Sequence, residues 1–325
     1  MQFCYTPEQE DLIAAARDVL QGEVTVERLR AVMRGDDVAP LWPQLAELGL
    51  LGIMASEAQG GLGQNLAVMA GVAEAAGYVA LPEPLVDIAG VSIPVANHFS
   101  QSVAVEEMVA GGAAHFVEAK ARPYMASPKF YNGIVSPEEA SNGGYDLRSC
   151  AGMPALNTID PLRDIVKVHS ENSYALSHEN GAVLSAAQLV GLSCRMRDMA
   201  VDYAGDRKQF GSAIGSFQGV KHQLANVHTQ IEFTRPMVAQ AALQKGASIH
   251  MAKLAARDCA MLAAETAIQV FGGMGYTFEV DLHMFMKRAW ALIGEWGDYN
   301  DHAKALDVLL KNNGLETGPG MSFTN

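Results

Sequence analysis

The chain has 325 residues, of which 49% are hydrophobic and 18% charged, with a formal net charge of −13 and a pI near 5.1. A chain of this length buries roughly 75% of its unfolded surface and fills two or three structural units. Its acidity excludes nucleic acid as a partner, because phosphate binding needs a concentrated Lys/Arg face, and its four scattered cysteines, Cys4, Cys150, Cys194 and Cys259, form no Cys-x-x-Cys pair, which excludes a zinc site or disulfide framework of the usual spacing.

The first residues, MQFCYTPEQEDL, lack the basic segment and apolar stretch of a secretory signal, and no uncharged apolar run reaches the ~18 residues that span a bilayer. The expectation is a soluble protein of a reducing compartment, the cytoplasm, with no membrane partner. Thr6 followed by Pro7, Glu8 and Gln9 reads as an N-cap, a Pro at the first helical position and a capping-box partner, so a helix starts there. Leu12, Ala15, Ala16, Val19 and Leu20 continue it at helical spacing. LWPQLAELGLLGI predicts a second helix stopped by Gly49, ASEAQGGLGQN a glycine-rich loop, and NLAVMAGVAEAAGYVALPEPLVD a third helix that ends at Pro82 and Pro84. These make an N-terminal helical domain over 1–100.

Between 101 and 175 the chain is interrupted by Pro and Gly every few residues, with short alternating segments such as AHFVEA and DIVKVHS. That is the pattern of a small β domain, too short for a complete barrel. From 176 helical periodicity returns. Ala186, Leu189, Val190, Met196, Met199, Ala200 and Tyr203 form one stripe; Val220, Leu224, Val227 and Ile231 a second; Leu254, Ala255, Leu262, Ala263 and Val270 a third. With NDHAKALDVLL these predict a C-terminal four-helix bundle over 176–325, closed by a tail, NNGLETGPGMSFTN, of mobile composition. The fold class is therefore mainly α, with a reduced β domain between two helical ones.

Most site chemistries find no ligand set. Neither GGLGQN nor GGMGYT has the third glycine of Gly-x-Gly-x-x-Gly, and neither lies between a strand and a helix. No histidine belongs to a Glu-x-x-His or His-Glu-x-x-His pair, so no metal site is expected, and Gly-x-Ser-x-Gly is missing. YAGDRKQFGSAIGSFQGVKHQLANV is more informative. Arg207 and Lys208 suit the negative end of a helix, and Phe210-Gly211 a turn; Phe217-Gln218 beside them adds an amide, so that an Arg, an amide and bare backbone could together hold a pyrophosphate and the polar edge of a ring system.

These residues carry a resemblance. DRKQFGSAIGSFQGVKHQLANV resembles the Arg-x-x-Phe-Gly signature of the flavin-dependent acyl-CoA dehydrogenases, and AIQVFGGMGYTFEVDLHMFMKRAW resembles the family's Gln-x-Phe-Gly-Gly-x-Gly-Tyr segment; the region around WPQLAELGLLGIMASEAQGGLGQN is similar to its entry region. The likeness covers about 1–96 and 182–310. It implies N-terminal helices, a middle β domain and a C-terminal bundle; FAD as cofactor; an acyl-CoA substrate that loses an α-proton to a Glu and a β-hydride to flavin N5; and an electron-transfer flavoprotein or similar acceptor. It also implies cofactor contacts by Arg207, Gln209, Phe210, Gln218, Gln269, Gly272 and Gly273, made across a subunit interface.

The pattern departs from the family in two places. The middle domain is short and lacks a Thr-Glu-x-x-x-Gly-Ser segment, and the position of the usual base, counted from Arg288, falls on Gly297. The alternative base position, at the start of the first bundle helix, falls near Gly181. Glu179 is two residues from it and is the candidate base, but two residues turn a helical side chain by about 200°; a solvated acid near a helix N-terminus explains Glu179 equally. Both departures are those of short subunits in α2β2 assemblies that act on CoA thioesters of steroid side chains and rings, where a homologous full-length subunit supplies the Glu. The alternatives left open are a self-sufficient homo-oligomer using Glu179 and a flavin-free assembly partner.

Overall fold

The computed structural model describes residues 5–137, 145–168, 170 and 174–312. Its N-terminal part is helical: α1 (Pro7–Glu23), α2 (Val26–Arg34), α3 (Trp42–Glu47), α4 (Leu66–Tyr78), α5 (Leu85–Asp87), α6 (Ile93–His98) and α7 (Ser102–Val109). The Thr6 cap forms as the sequence predicts: its Oγ1 accepts from Gln9 N at 3.3 Å, and the Gln9 amide oxygen accepts from Thr6 N at 3.1 Å. Gly49, at φ +73°, ends the second predicted helix. The sequence reading did not name α2 or α5–α7, and helix continues beyond residue 100 to Val109.

A π-turn, Ile88–Ser92, joins α5 to α6. Pro94 has no N–H for the carbonyl of Gly90 one turn back. Asn180 Nδ2 donates to that carbonyl instead, at 3.0 Å, which ties the turn to the first bundle helix.

The middle region holds two three-stranded sheets. In the first, β1 (His115–Val117) pairs parallel with β3 (Gly133–Pro137), which pairs antiparallel with β4 (Tyr145–Arg148); in the second, β6 (Ile165–Lys167) lies antiparallel between β2 (Tyr124–Ala126) and β5 (Ala155–Leu156). AHFVEA and DIVKVHS contain β1 and β6. No closed barrel forms among the described residues, in keeping with the short length.

The C-terminal part consists of α8 (Ala175–Asp206), α9 (Gln218–Gln244), α10 (Ala247–Phe271), α11 (Leu282–Ile293) and α12 (Tyr299–Asn312), with a hairpin, β7 (Lys208–Gln209) and β8 (Ser212–Ala213), between α8 and α9. The three hydrophobic stripes and NDHAKALDVLL correspond to α8, α9, α10 and α12; α11 is an additional helix. Lys253 near the start of α10 bonds Ser185 near the start of α8, and Phe271 at its end stacks on Tyr203 at the end of α8, so α8 and α10 run parallel. The N-terminal helices dock through α4, where glycines allow backbone contact: a Cβ on Gly191 would lie 2.0 Å from Glu74 O, and one on Gly77 2.2 Å from Gln188 O. No helix among the described residues is long and apolar enough to cross a membrane.

Candidate functional site

The residues of the two signatures gather at the carboxyl ends of α8 and α10. Arg207 follows α8, and the hairpin that begins there turns at Phe210 (φ +51°) and Gly211 (φ +82°), two positive φ values of the kind a tight two-residue turn requires. The hairpin is anchored where Ile214 N donates to Arg207 O at 2.8 Å. Gln218 opens α9, whose first N–H groups have no side-chain cap, leaving a positive dipole end just after the 3₁₀ turn Ile214–Ser216 that follows the hairpin. Gln269, Gly272 and Gly273 come from the end of α10 and the 3₁₀ turn Gly272–Tyr276 that follows.

All seven residues are exposed. A Cβ added at Gly272 or Gly273 would meet nothing within 4 Å, and Gly272 sits at φ +60°, ψ −136°, a conformation open essentially to glycine alone. Phe210 is 94% exposed, Tyr276 80% and Phe278 72%. Large aromatic side chains left in water at one end of a folded chain mark an interaction surface. Cation, amides, uncapped helix N-terminus and bare glycine backbone suit a ligand with both anionic and polar ring parts.

Glu179 lies elsewhere. It is in the second turn of α8, about 40 Å along the helix from Arg207, and its Oε2 is 2.9 Å from Lys245 Nζ in the α9–α10 connection. The other two positions considered for a base, Gly181 and Gly297, converge on a single side chain. The Trp296 ring packs flat against Gly181, where a Cβ would lie 2.2 Å from Cε2, and Trp296 is 2% exposed. Its backbone is held at φ +62°, followed by Gly297 at φ +104°. A bulky residue in the left-handed region is strained, and the surrounding contacts must over-determine it. Here His302 Nε2 donates to Trp296 O at 3.1 Å. Imidazole Nδ1 of His302 then accepts from His250 Nδ1, 2.8 Å away.

Next to Trp296 lies a buried ion network that joins all three parts of the chain. Arg122, from the middle region, has its guanidinium 5.1 Å from the Trp296 ring centroid and 5.0 Å from that of Phe116. It pairs with Asp87 at 2.7 Å and with Glu295 at 3.3 Å. Arg163 bridges Glu295 at 3.1 Å and Asp160 at 2.8 Å, and Asp160 also pairs with Arg288, whose Nη1 donates to Leu81 O at 2.8 Å. Burial alone would raise the Glu295 carboxyl; the charges of Arg163 and Arg122 outweigh it and hold Glu295 below its ordinary value. With one oxygen on Arg122 and the other on Arg163, Glu295 is a weakened base engaged within the fold. Burial brings the Lys253 ammonium, bonded to Ser185 Oγ and Leu292 O, down to about 7. The free space between Glu295, Arg163, Arg288 and Asp87 is about 20 Å³, room for one water. Sequence reading identified neither Trp296 nor Arg122 as part of a site; only the fold brings Trp296 to Gly181 and Arg122 to Trp296.

Comparison with known proteins accounts for this architecture. Residues 6–98 match the N-terminal domain of acyl-CoA dehydrogenases and residues 174–295 the C-terminal domain. The acyl-CoA dehydrogenase IpdE2 of Mycobacterium tuberculosis is 30% identical over 275 residues, 82% of this chain and 85% of its own length. The chain therefore belongs to the acyl-CoA dehydrogenase family, and is an FAD-linked oxidoreductase by membership. The fold is shared with a solved steroid acyl-CoA dehydrogenase, the Tcur3481–Tcur3483 G363A variant (TM-score 0.82, 21% identity, 95% of this chain and 99% of that one). It is likewise shared with the ChsE4–ChsE5 complex of M. tuberculosis (TM-score 0.80, 19% identity, 98% and 100%).

FAD fits this chain unevenly. The exposed end of the bundle has the donor chemistry for the pyrophosphate and polar edges of the cofactor, with room at Gly272 and Gly273. The positions at which the family's base is expected are packed solid around Trp296.

Proposed function

We propose that the chain is the short subunit of a heteromeric FAD-dependent acyl-CoA dehydrogenase, which introduces an α,β double bond into a bulky CoA thioester such as a steroid side chain or ring. A homologous full-length subunit, in an α2β2 arrangement, holds most of the flavin and supplies the catalytic Glu. The same reading divides the chain into units of 1–100, 101–175 and 176–325. The observation that carries it is Trp296, packed on Gly181, where a base is expected. Glu295 beside it is held as an anion by two arginines, and Glu179 is engaged by Lys245. The solved steroid acyl-CoA dehydrogenase that shares the fold supports the substrate class, and the ChsE4–ChsE5 complex the heteromer.

When bound, FAD supplies the acceptor for the hydride that leaves the β-carbon. This chain's part is binding and orientation. Arg207 neutralises pyrophosphate charge, with the N-terminus of α9 adding its dipole. Gln209, Gln218 and Gln269 offer amides to ribityl and adenine edges. Gly272 and Gly273 let backbone approach where a side chain would collide, and Phe210 covers an apolar face. An electron-transfer flavoprotein or similar acceptor then reoxidises the complex.

The test is expression of the chain alone and together with a full-length acyl-CoA dehydrogenase homologue from the same genome. The expected result is a colourless isolated chain and a yellow, active complex. A yellow, active isolated chain would overturn the proposal, and loss of that activity in Glu179→Gln would identify the homo-oligomeric alternative. A complex whose flavin content is unchanged by Arg207→Ala would make the chain an assembly partner only.

A further inference from the structure

The two cofactor-facing segments are far apart in sequence, and each is fixed to its own helix. Gly215, after the hairpin, is folded against α8: a Cβ there would lie 3.0 Å from Ala204 O. Gly275, in the 3₁₀ turn, is folded against α10, 3.0 Å from Ile268 O and 3.2 Å from Phe271 Cβ by the same measure. Each segment therefore moves with the last turn of its helix. The relative placement of the two depends on what joins those last turns.

That join is aromatic. The rings of Tyr203 and Phe271 stack with centroids 4.3 Å apart and planes 21° from parallel. Tyr203 O accepts from Arg207 N at 2.9 Å, so the residue that stacks also ends the helix from which Arg207 projects. Phe271 is 7% exposed and is followed directly by Gly272 and Gly273. Parallel α8 and α10 bring their negative dipole ends together here, which favours separation of the two helix ends. The stack opposes it.

We infer that Tyr203 is a positioning residue: stacked on Phe271, it sets the distance between Arg207 and the Gln269–Gly273 turn at which both reach one FAD. This deepens the shared-site reading above and rests on it. The ring is used for its flat face, so Tyr203→Phe preserves the function and Tyr203→Ala does not.

The experiment titrates FAD into the deflavinated complex of this chain with its full-length partner. Tyr203→Ala is expected to weaken FAD binding roughly 3- to 10-fold, the worth of an aromatic pair, and Tyr203→Phe to bind like the parent. Phe271→Leu, which keeps an apolar side chain but loses the flat face, weakens binding similarly, and the double variant is no weaker than either single one. Unchanged affinity in Tyr203→Ala together with weakened binding in Arg207→Ala overturns the inference and leaves the shared site standing. Unchanged affinity in both overturns the two together. In the isolated chain, Tyr203→Ala is expected to raise amide exchange over 207–217 and 272–277 together; a rise in one segment alone also overturns the inference.

Discussion

The two ends of α8 are built on opposite principles. At the carboxyl end, around Arg207, Gln269 and Gly273, polar groups and glycine backbone are open, aromatic rings stand in solvent, and the charges have room for a ligand. At the amino end, around Gly181, Trp296 and Glu295, charges are also dense, yet Asp87, Asp160 and Glu295 are matched to arginines and an indole fills the remaining space. Open polar groups in water cost little stability, so the first end is free to be shaped for binding. Buried charges are expensive unless every one is paired, so the second end is shaped by its own internal balance. Charge in a family site can thus serve recognition or only closure, and burial with pairing tells them apart.

The closed end should break hardest. Arg288 is 2% exposed and pairs with Asp160, itself 1% exposed. Removing Arg288 leaves Asp160 with Arg163 alone, and Arg163 already serves Glu295, so Arg288→Ala is expected to cost about 3 kcal/mol, the low end for a broken buried pair, read from the denaturant midpoint. If the single variant unfolds like the parent, the network does not support the fold.

Gly181→Ala tests the indole directly. The new methyl would lie 2.2 Å from the Trp296 ring, and the strained loop that carries Trp296 must shift; overpacking of this kind costs about 3 kcal/mol at the upper end of its range. A Trp296→Ala partner substitution should relieve the clash, so the two effects are not additive. Additive effects in the denaturation curves would mean that the ring and Gly181 are not in contact in solution.

Acid should act on the same end. Burial lowers His178, His250 and His302, with His302 brought to about 3 by burial and the nearby Lys253 charge. Across from these rings are Glu179 on α8, Lys253 on α10 and Asp301 on α12. The folded pKa values lie below the unfolded value near 6.5, so the unfolded chain binds protons first, and stability is expected to fall as pH drops below about 6.5. For His302 alone this is at most about 2 kcal/mol by pH 5. His302→Gln should flatten this part of the profile, and an unchanged slope would show that His302 does not contribute to it.

How much of this was legible in the sequence follows from the range of the interactions. The Thr6 cap, the Gly49 stop and the helical stripes of α8, α9 and α10 are local, and each was readable from spacing alone. The π-turn was not, because it depends on Pro94 and on Asn180, a partner from a distant helix; helix α2 has local signals, the Thr25 cap and the Gly35 stop, that were passed over. At the open end Arg207, the Phe210-Gly211 turn and Gln218 were readable as a cation, bare backbone and an amide, whereas Gln209, Gln269, Gly272 and Gly273 were singled out only through the resemblance to the family. Trp296 and Arg122 were not, because Arg122 comes from the middle region and Trp296 follows α11, and only folding sets Trp296 against Gly181 and Arg122 against Trp296.

The smallest expected effect on stability is at the open end, and it separates the two principles most sharply. Arg207 is exposed and makes no ion pair among the described residues. Arg207→Ala should therefore change the unfolding free energy of the isolated chain by less than about 0.5 kcal/mol, the scale of an ordinary surface substitution. If Arg207 is kept for pyrophosphate, the same change should lower the flavin content of the complex, because a charge-assisted contact is lost from the binding site. Arg207→Lys keeps the charge but not the planar fork and should fall between the two. A large loss of stability in the isolated chain would place Arg207 within the fold's own support. Unchanged stability with reduced flavin binding would mean that this charge, unlike those around Glu295, is held for a ligand outside the chain.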